Sequence, residues 1–223
     1  MEFTKKNPKL FYNIDEVPEL SVLENNYAVI LEELNALRDA SHNGYWLDTF
    51  PGYVDEKNKD KWQVFTFQFF GIKHPLNCSL CPKTYSILQK IPNLISADFS
   101  YLPANMHIKP HKGFTQMVLR AHLGLVIPDN CKLRVGNEIK TWQVGKMLIF
   151  DDSFEHEAWN DSNEDRFVLM LDIANPKWGY TPQEINRYKI ETLRDEFMLS
   201  MFSKEKWLYF LEKGELDVFP PID

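Results

Sequence analysis

The stretch Gly145-Lys146-Met147-Leu148-Ile149-Phe150-Asp151-Asp152-Ser153-Phe154-Glu155-His156-Glu157-Ala158-Trp159 holds the pattern that decides the fold. An apolar run of strand length, KMLIF, ends in the polar turn Asp151-Asp152-Ser153, and a second short run, EHEAW, follows. Short apolar runs broken by turn residues are the mark of β architecture. The same texture extends in both directions, through ISADFSYL, QMVLRAHLGLVI, CKLRV and EIKTW before it and RFVLMLDIA after it. Pro128-Asp129-Asn130 and Gly136-Asn137 supply further turns. Seven such runs between about residues 94 and 175 predict a barrel or double-sheet sandwich.

Helical periods flank this core. Leu20, Leu23, Tyr27, Ile30, Leu31 and Leu34 recur at three- and four-residue steps and predict a helix over 19–40. Pro82 opens a shorter one, KTYSILQKI, that ends near Pro92. Between them, Trp62 to Phe70 is aromatic and β-rich. After Pro176, Ile185, Tyr188, Leu193, Phe197 and Met201 predict one apolar helical face, which Trp207, Phe210 and Leu211 continue in a second short helix. The expectation is a single domain over residues 1–223: a helical N-terminal part (15–92), a β core (about 94–175) and a helical C-terminal extension (180–213) bracing its outside.

Composition narrows the class. The 32 acidic and 25 basic residues give a net charge of −7, which argues against a nucleic-acid binder working through a basic surface. No apolar run approaches the ~20 residues of a membrane span. The opening MEFTKKNPKL lacks the apolar core of a secretory signal, so a cytoplasmic location is expected. Three cysteines, Cys78, Cys81 and Cys131, fit reduced thiols. Cys78 and Cys81 form a C-x-x-C, but neither a second ligand pair for a zinc site nor a strand-to-helix context for a thioredoxin-like redox motif is evident, and they read as incidental.

Chemistry can be sought where polar groups share a strand face. Along Met117–Ile127, Leu119, Ala121, Leu123 and Leu125 point one way; Val118, Arg120, His122, Gly124 and Val126 point the other. If that second face is buried, Arg120 needs an anionic partner, either a bound dianion or an internal aspartate. If it is exposed, no partner is required. In the last β run Arg166, Val168, Met170 and Asp172 share a face, with Arg166 at the strand start, where a lone arginine is ordinarily a surface residue. His111 and His156 are 45 positions apart, so only a folded barrel could bring them together. Each alone reads as an ordinary histidine; together, as neutral imidazoles, they suit Fe(II) among other divalent ions.

Two longer blocks carry a resemblance. The run His107-Ile108-Lys109-Pro110-His111-Lys112-Gly113, with Leu119-Arg120-Ala121-His122-Leu123-Gly124-Leu125-Val126-Ile127-Pro128, is similar to the aspartyl/asparaginyl β-hydroxylase family. So is the opening segment 145–159, with an arginine ten residues after its histidine, and the intervening Cys131-Lys132-Leu133-Arg134-Val135 and Thr141-Trp142. Weaker similarity reaches back through Pro82-Lys83-Thr84 and Trp62, so that the whole covers roughly 15–178.

The resemblance implies a double-stranded β-helix, the jelly-roll or cupin-like barrel of the iron(II)- and 2-oxoglutarate-dependent oxygenases. It implies metal binding by His111 and His156, and a grip on the distal carboxylate of 2-oxoglutarate by Arg166 with Ser100. It places Arg120 and His122 near the metal, for the other cosubstrate carboxylate or one on the substrate. A guanidinium can take a carboxylate by two parallel hydrogen bonds and so fix its orientation. With O₂, oxidative decarboxylation of the ketoacid would give succinate and CO₂ and hydroxylate an unactivated C–H bond. Position 113 is Gly, where most iron oxygenases carry a metal-binding carboxylate. The family shares that omission, as do 2-oxoglutarate halogenases, so halogenation is a chemical alternative; Asp151 and Asp152 read as turn residues. A second alternative is a non-catalytic barrel that binds a small carboxylate or a protein partner. Val118 and Ile72-Lys73 stand where the animal aspartyl hydroxylases are basic, a departure that weighs against an Asp-peptide substrate. The expected substrate is an amino acid, a carrier-bound aminoacyl group or a short peptide.

Overall fold

The computed structural model describes residues 9–39, 46–48, 51–54 and 61–217. Residue 40 of the first expected helix and residues 1–8 lie outside them. The strands are β1 (Phe11–Tyr12), β2 (Leu47–Asp48), β3 (Gln63–Phe69), β4 (Ile72–Lys73), β5 (Leu94–Leu102) and β6 (Met106–His111). They continue as β7 (Val118–Val126), β8 (Cys131–Val135), β9 (Glu138–Lys140), β10 (Met147–Phe150), β11 (His156–Asn160) and β12 (Arg166–Ala174). The helices are α1 (Ser21–Asn25), α2 (Tyr27–Asp39), α3 (Pro75–Leu80), α4 (Pro82–Leu88), α5 (Pro182–Glu191), α6 (Glu196–Met201) and α7 (Lys204–Lys213).

Two antiparallel sheets form a jelly roll. The larger runs β1-β10-β7-β12-β5-β3-β2, with β4 beside β3; the smaller runs β6-β11-β8-β9. Among the described residues no hydrogen-bonded strand pair closes the two sheets into one barrel. Period-two alternation divides the larger sheet into two chemistries. One face carries Leu119, Ala121, Leu123, Leu169, Leu171 and Phe99, which pack with Leu20, Leu23, Ile30, Leu34 and Leu88 from the N-terminal helices. The opposite face carries Ser96, Asp98 and Ser100 on β5, Arg120 and His122 on β7, and Arg166, Met170 and Asp172 on β12, all in cross-strand register.

Three sequence expectations need correction. The helix over 19–40 is broken: Asn26 leaves helical geometry at φ −114° and ψ 16°, dividing α1 from α2, and residues 18–20 form a 3-10 turn. The single C-terminal face is also broken. Helix α5 ends at Thr192 (φ −99°, ψ 10°) and α6 starts afresh on its own cap, Asp195, whereas the expected second short helix is α7, set off by the extended Phe202 and capped by Ser203. Tyr188 and Met201, expected on that face, are 48% and 36% exposed. Strand β6 escaped notice because Lys109-Pro110 reads against a strand. It is an edge strand, where a missing backbone donor costs no ladder bond. The C-terminal helices do brace the core: Ile185, Ile190, Trp207 and Phe210 pack with Phe70, Ile72, Ile95 and Val118. No helix among the described residues is long and apolar enough to cross a membrane.

Candidate metal and cosubstrate site

His111 and His156 meet because β6 and β11 pair with those two residues directly opposite each other. Their ring centroids are 4.2 Å apart. Each ring is held by its own backbone: His111 Nδ1 lies 2.7 Å from Lys109 O, and His156 Nδ1 lies 2.9 Å from Phe154 O. An Nδ1–H donated to a carbonyl leaves the Nε2 lone pair available, the arrangement metal-binding histidines adopt. Burial lowers both imidazoles from their ordinary value, His156 to about 3, so both are neutral and able to ligate. Tyr53 stacks on His111 at 4.4 Å and fixes its plane from the open side.

The third corner is occupied in an unexpected way. A side chain at Gly113 would begin 2.1 Å from Asp152 Oδ2 and 2.2 Å from Asp152 Cγ. The Asp152 carboxylate therefore fills the space that a carboxylate at 113 would have used. It is 2% exposed, far from a simple turn residue, and its Oδ2 is 3.4 Å from Arg120 Nη2. Among the described residues no three His, Cys, Asp or Glu converge as a ready-made metal cage. A two-histidine donor set suits a metal whose other positions go to a chelating ketoacid and small molecules, unlike a closed structural zinc site.

Beside the histidines is a cluster of buried donors. Arg166 is 1% exposed, and among the described residues no carboxylate pairs with it. Burial pulls its guanidinium down to about 10. Its Nη2 donates to Ser100 Oγ at 3.3 Å, Trp62 Nε1 donates to the same oxygen at 3.0 Å, and its guanidinium carbon lies 4.9 Å from the Trp142 ring centroid. Trp142 Nε1 donates to His122 Nδ1 at 3.1 Å, which places the His122 proton on Nε2. Burial first, then the charges of Arg166 and Arg120, hold His122 well below its ordinary value. Arg166 Nε and His122 Nε2 are both buried without a partner. Both are donors, and unsatisfied buried donors call for an acceptor.

Arg120 follows the internal-aspartate alternative. Its Nε donates to Asp172 Oδ1 at 2.8 Å and its Nη2 to Asp172 Oδ2 at 3.1 Å, across the β7–β12 pair. Asp98 sits one strand further, with Thr66 Oγ1 donating to it at 2.5 Å, and burial raises its carboxyl to about 7. The six residues singled out in the sequence thus fall around one locus. His111 and His156 are on the smaller sheet; Ser100, Arg120, His122 and Arg166 are on the facing surface of the larger one. The role of Asp152 and the indole donors Trp62 and Trp142 were not anticipated. Asp98 and Asp172 were legible as positions on the polar face, two residues before Ser100 and six after Arg166. The C-x-x-C thiols lie elsewhere, buried under α2, with Cys78 and Cys81 free.

A family model described as aspartyl/asparaginyl beta-hydroxylase matches residues 24–176. The ornithine lipid ester-linked acyl 2-hydroxylase of Rhizobium tropici is 35% identical over 180 residues, covering 79% of this chain and 64% of that protein. The human aspartyl/asparaginyl beta-hydroxylase is 39% identical over 168 residues, covering 73% of this chain and 21% of that protein. The chain thus spans less than two thirds of the length of either relative. A solved 2OG-Fe(II) oxygenase family protein from Burkholderia pseudomallei is similar at a TM-score of 0.47 and 9% identity, covering 63% of this chain and 78% of that one. The matched span takes in both histidines, Ser100, Arg120, His122 and Arg166, and the chain belongs to the aspartyl/asparaginyl β-hydroxylase family.

Proposed function

We propose that the protein is an Fe(II)- and 2-oxoglutarate-dependent hydroxylase. It would place one atom of O₂ in a substrate C–H bond and the other in succinate, with release of CO₂. The observation that carries this reading is the pair of unsatisfied buried donors, Arg166 Nε and His122 Nε2, beside two histidines whose Nε2 lone pairs are free. His111 and His156 would hold the iron, which supplies the oxidising power that no side chain has. Arg166 and Ser100 would bind the distal carboxylate of the cosubstrate, and Trp62 and Trp142 hold that seat rigid through Ser100 and His122. His122 would donate to the near carboxylate. Arg120, already engaged through Nε and Nη2, would act mainly by keeping Asp172 and Asp152 in place. The Asp152 carboxyl fills the space beside Gly113 where a halogenase would seat its halide, which favours oxygen transfer over chlorine transfer.

The test is succinate formation by the purified protein with Fe(II), 2-oxoglutarate and O₂, including any uncoupled turnover in the absence of substrate. His156→Ala is expected to abolish it. Wild-type protein that binds 2-oxoglutarate but makes no succinate under any condition would identify a binding protein instead.

A further inference from the structure

A cavity of about 1010 Å³ opens from His111 and Gly113 and is walled on its far side by the C-terminal helices. Lys189 on α5 reaches into it from beyond the segment 24–176 that the family model matches. Its Nζ lies 4.2 Å from the Phe114 ring centroid and 5.4 Å from that of Phe70, and Phe114 follows Gly113 directly. The side chain is half-buried, yet among the described residues no hydrogen bond or ion pair engages its ammonium. The acids that face it are taken. Asp172 accepts from Arg120 Nε at 2.8 Å, Asp152 Oδ2 approaches Arg120 Nη2 at 3.4 Å, and Asp195 Oδ1 caps α6 by accepting from Met198 N at 3.0 Å. Their charges act on Lys189 only from a distance, and burial still pulls its ammonium below its ordinary value.

A lysine in the last turn of a helix ordinarily serves the helix end, which needs no more than a solvated side chain near the final carbonyls. Arg187 on the same helix shows the outward solution, pairing with Glu191 at 3.0 Å on the exposed surface. An ammonium folded inward over two rings is a different arrangement. It has three donors, and keeping them half-buried without an acceptor costs free energy that an arriving acceptor recovers. The rings fix where Nζ sits. The other cations on the wall do not duplicate it: Arg120 is committed to Asp172, and Lys112 is exposed. Burial raises Asp98 and Asp152 towards their protonated forms, so the acids around Arg120 weigh less against an anion entering the cavity.

We propose that Lys189 is a substrate-binding, specificity-determining residue whose ammonium takes an oxyanion carried by the substrate, a carboxylate or a phosphate, while the adjoining carbon skeleton rests on Phe114 and Phe70. The inference rests on the hydroxylase reading and deepens it. Phe114 is three residues after His111, so the anchored group would lie beside the proposed metal seat and present a neighbouring C–H bond to it.

The experiment offers the full chain four probes: 3-phenylpropionate, phenyl phosphate, 3-phenylpropionamide and 3-phenylpropylamine. Dissociation constants are read by ligand-observed NMR, with Zn(II) and 2-oxoglutarate present to fill the Arg166 seat and again without either. At least one of the two anions is expected to bind about tenfold more tightly than the amide, the worth of a charge-assisted hydrogen bond, and the amine more weakly still. The carboxylate and phosphate arms identify the oxyanion. Lys189→Gln should remove the preference and Lys189→Arg restore most of it; a helix-end role would move the melting temperature but not the ratio of anion to amide binding. Wild-type protein gives a reading independent of any variant. With the anion at twice its dissociation constant, reductive methylation of Lys189, followed by peptide mass spectrometry, should slow about threefold, the free fraction then being about a third, while that of exposed Lys177 stays the same. Equal affinity for anions and amide, an anion preference that survives Lys189→Gln, or Lys189 methylation indifferent to the anion overturns the proposal. Any of these with 2-oxoglutarate still bound to the Zn(II) protein spares the hydroxylase reading; Lys189-dependent anion binding with no 2-oxoglutarate binding does the reverse.

Discussion

Replacing Gly113 with alanine should destabilise the protein through a single contact. The added methyl would lie 2.1 Å from Asp152 Oδ2 and 2.4 Å from Oδ1, far inside any real Cβ contact. Gly113 is not in the left-handed region, so the backbone adds no strain and the cost is steric and electrostatic. Asp152 must turn away, and its carboxylate, 2% exposed, then loses the approach of Arg120 at 3.4 Å. Overpacking of this kind costs about 1–3 kcal/mol, and separating a buried acid from its cation adds to it. At ~2–4 °C per kcal/mol for a chain of this size, Gly113→Ala should melt about 4–10 °C below the wild type. The double variant Gly113→Ala/Asp152→Gly removes the clash from the other side. It should recover at least ~1 kcal/mol relative to the sum of the single changes, as contacting residues do. Differential scanning calorimetry of all four proteins closes the cycle. Additive losses, or an alanine variant within ~0.5 kcal/mol of wild type, would show that the Asp152 carboxylate does not occupy the third corner.

Other expectations follow from the same geometry. Arg166→Lys keeps the charge but loses the planar fork and the Nε donor; the apparent KM for 2-oxoglutarate should rise about 10–100-fold in succinate assays, and an unchanged KM would remove Arg166 from the cosubstrate seat. Burial pushes the Cys78 and Cys81 thiols to about 11 and 12, so native protein should react with Ellman's reagent far more slowly than a free thiol at pH 8, and all three cysteines should titrate on unfolding. Fast stoichiometric labelling of either residue in the native state would contradict the packing. In metal-free protein, burial raises Asp98 from 3.8 to about 7, so the folded state keeps a proton that the unfolded chain has released between about pH 4 and 7. Stability from this group is therefore lost as pH rises through that window. Asp98→Asn should be more stable than wild type at pH 8 with the gap closing towards pH 4, as read from urea midpoints.

The β core was legible because alternation is a local signal. Each of the seven runs read from the sequence contains an observed strand, although in EIKTW only Glu138, Ile139 and Lys140 pair. What escaped was set by distant partners or by a single short cap. Strand β6 is made a strand by β11, despite Pro110. Helix α3 is a single short turn pair started by Pro75 and capped by His74 Nδ1, which accepts from Asn77 N at 3.2 Å. At the site, residue types and face-sharing pointed to Arg120, His122, Arg166 and Asp172, but not to which charge answers which. Alternation places Arg120 and Asp172 on polar faces; only the cross-strand register puts them opposite one another. Asp152 looked like a turn residue because its neighbours Asp151 and Ser153 are one, with Ser153 Oγ donating to Asp151 at 2.6 Å. Its inward direction depends on the absence of a side chain at Gly113, 39 residues earlier.

The strand order β7-β12-β5 also determines when this protein can begin to act. The last strand in the sequence lies in the middle of the larger sheet, with its two neighbours formed from residues 94–102 and 118–126. While the chain is being synthesised, β5 and β7 therefore wait with unpaired edges until residue 174 is available. Arg166 and Asp172 arrive on that same strand, so the anion seat and the partner of Arg120 come into being with the hydrogen-bond ladder that completes the sheet. A nascent or truncated chain could bring His111 opposite His156 and still lack the arginine that would hold the cosubstrate. On the proposed reading, metal capture would precede the end of folding in such a chain, and cosubstrate capture would not.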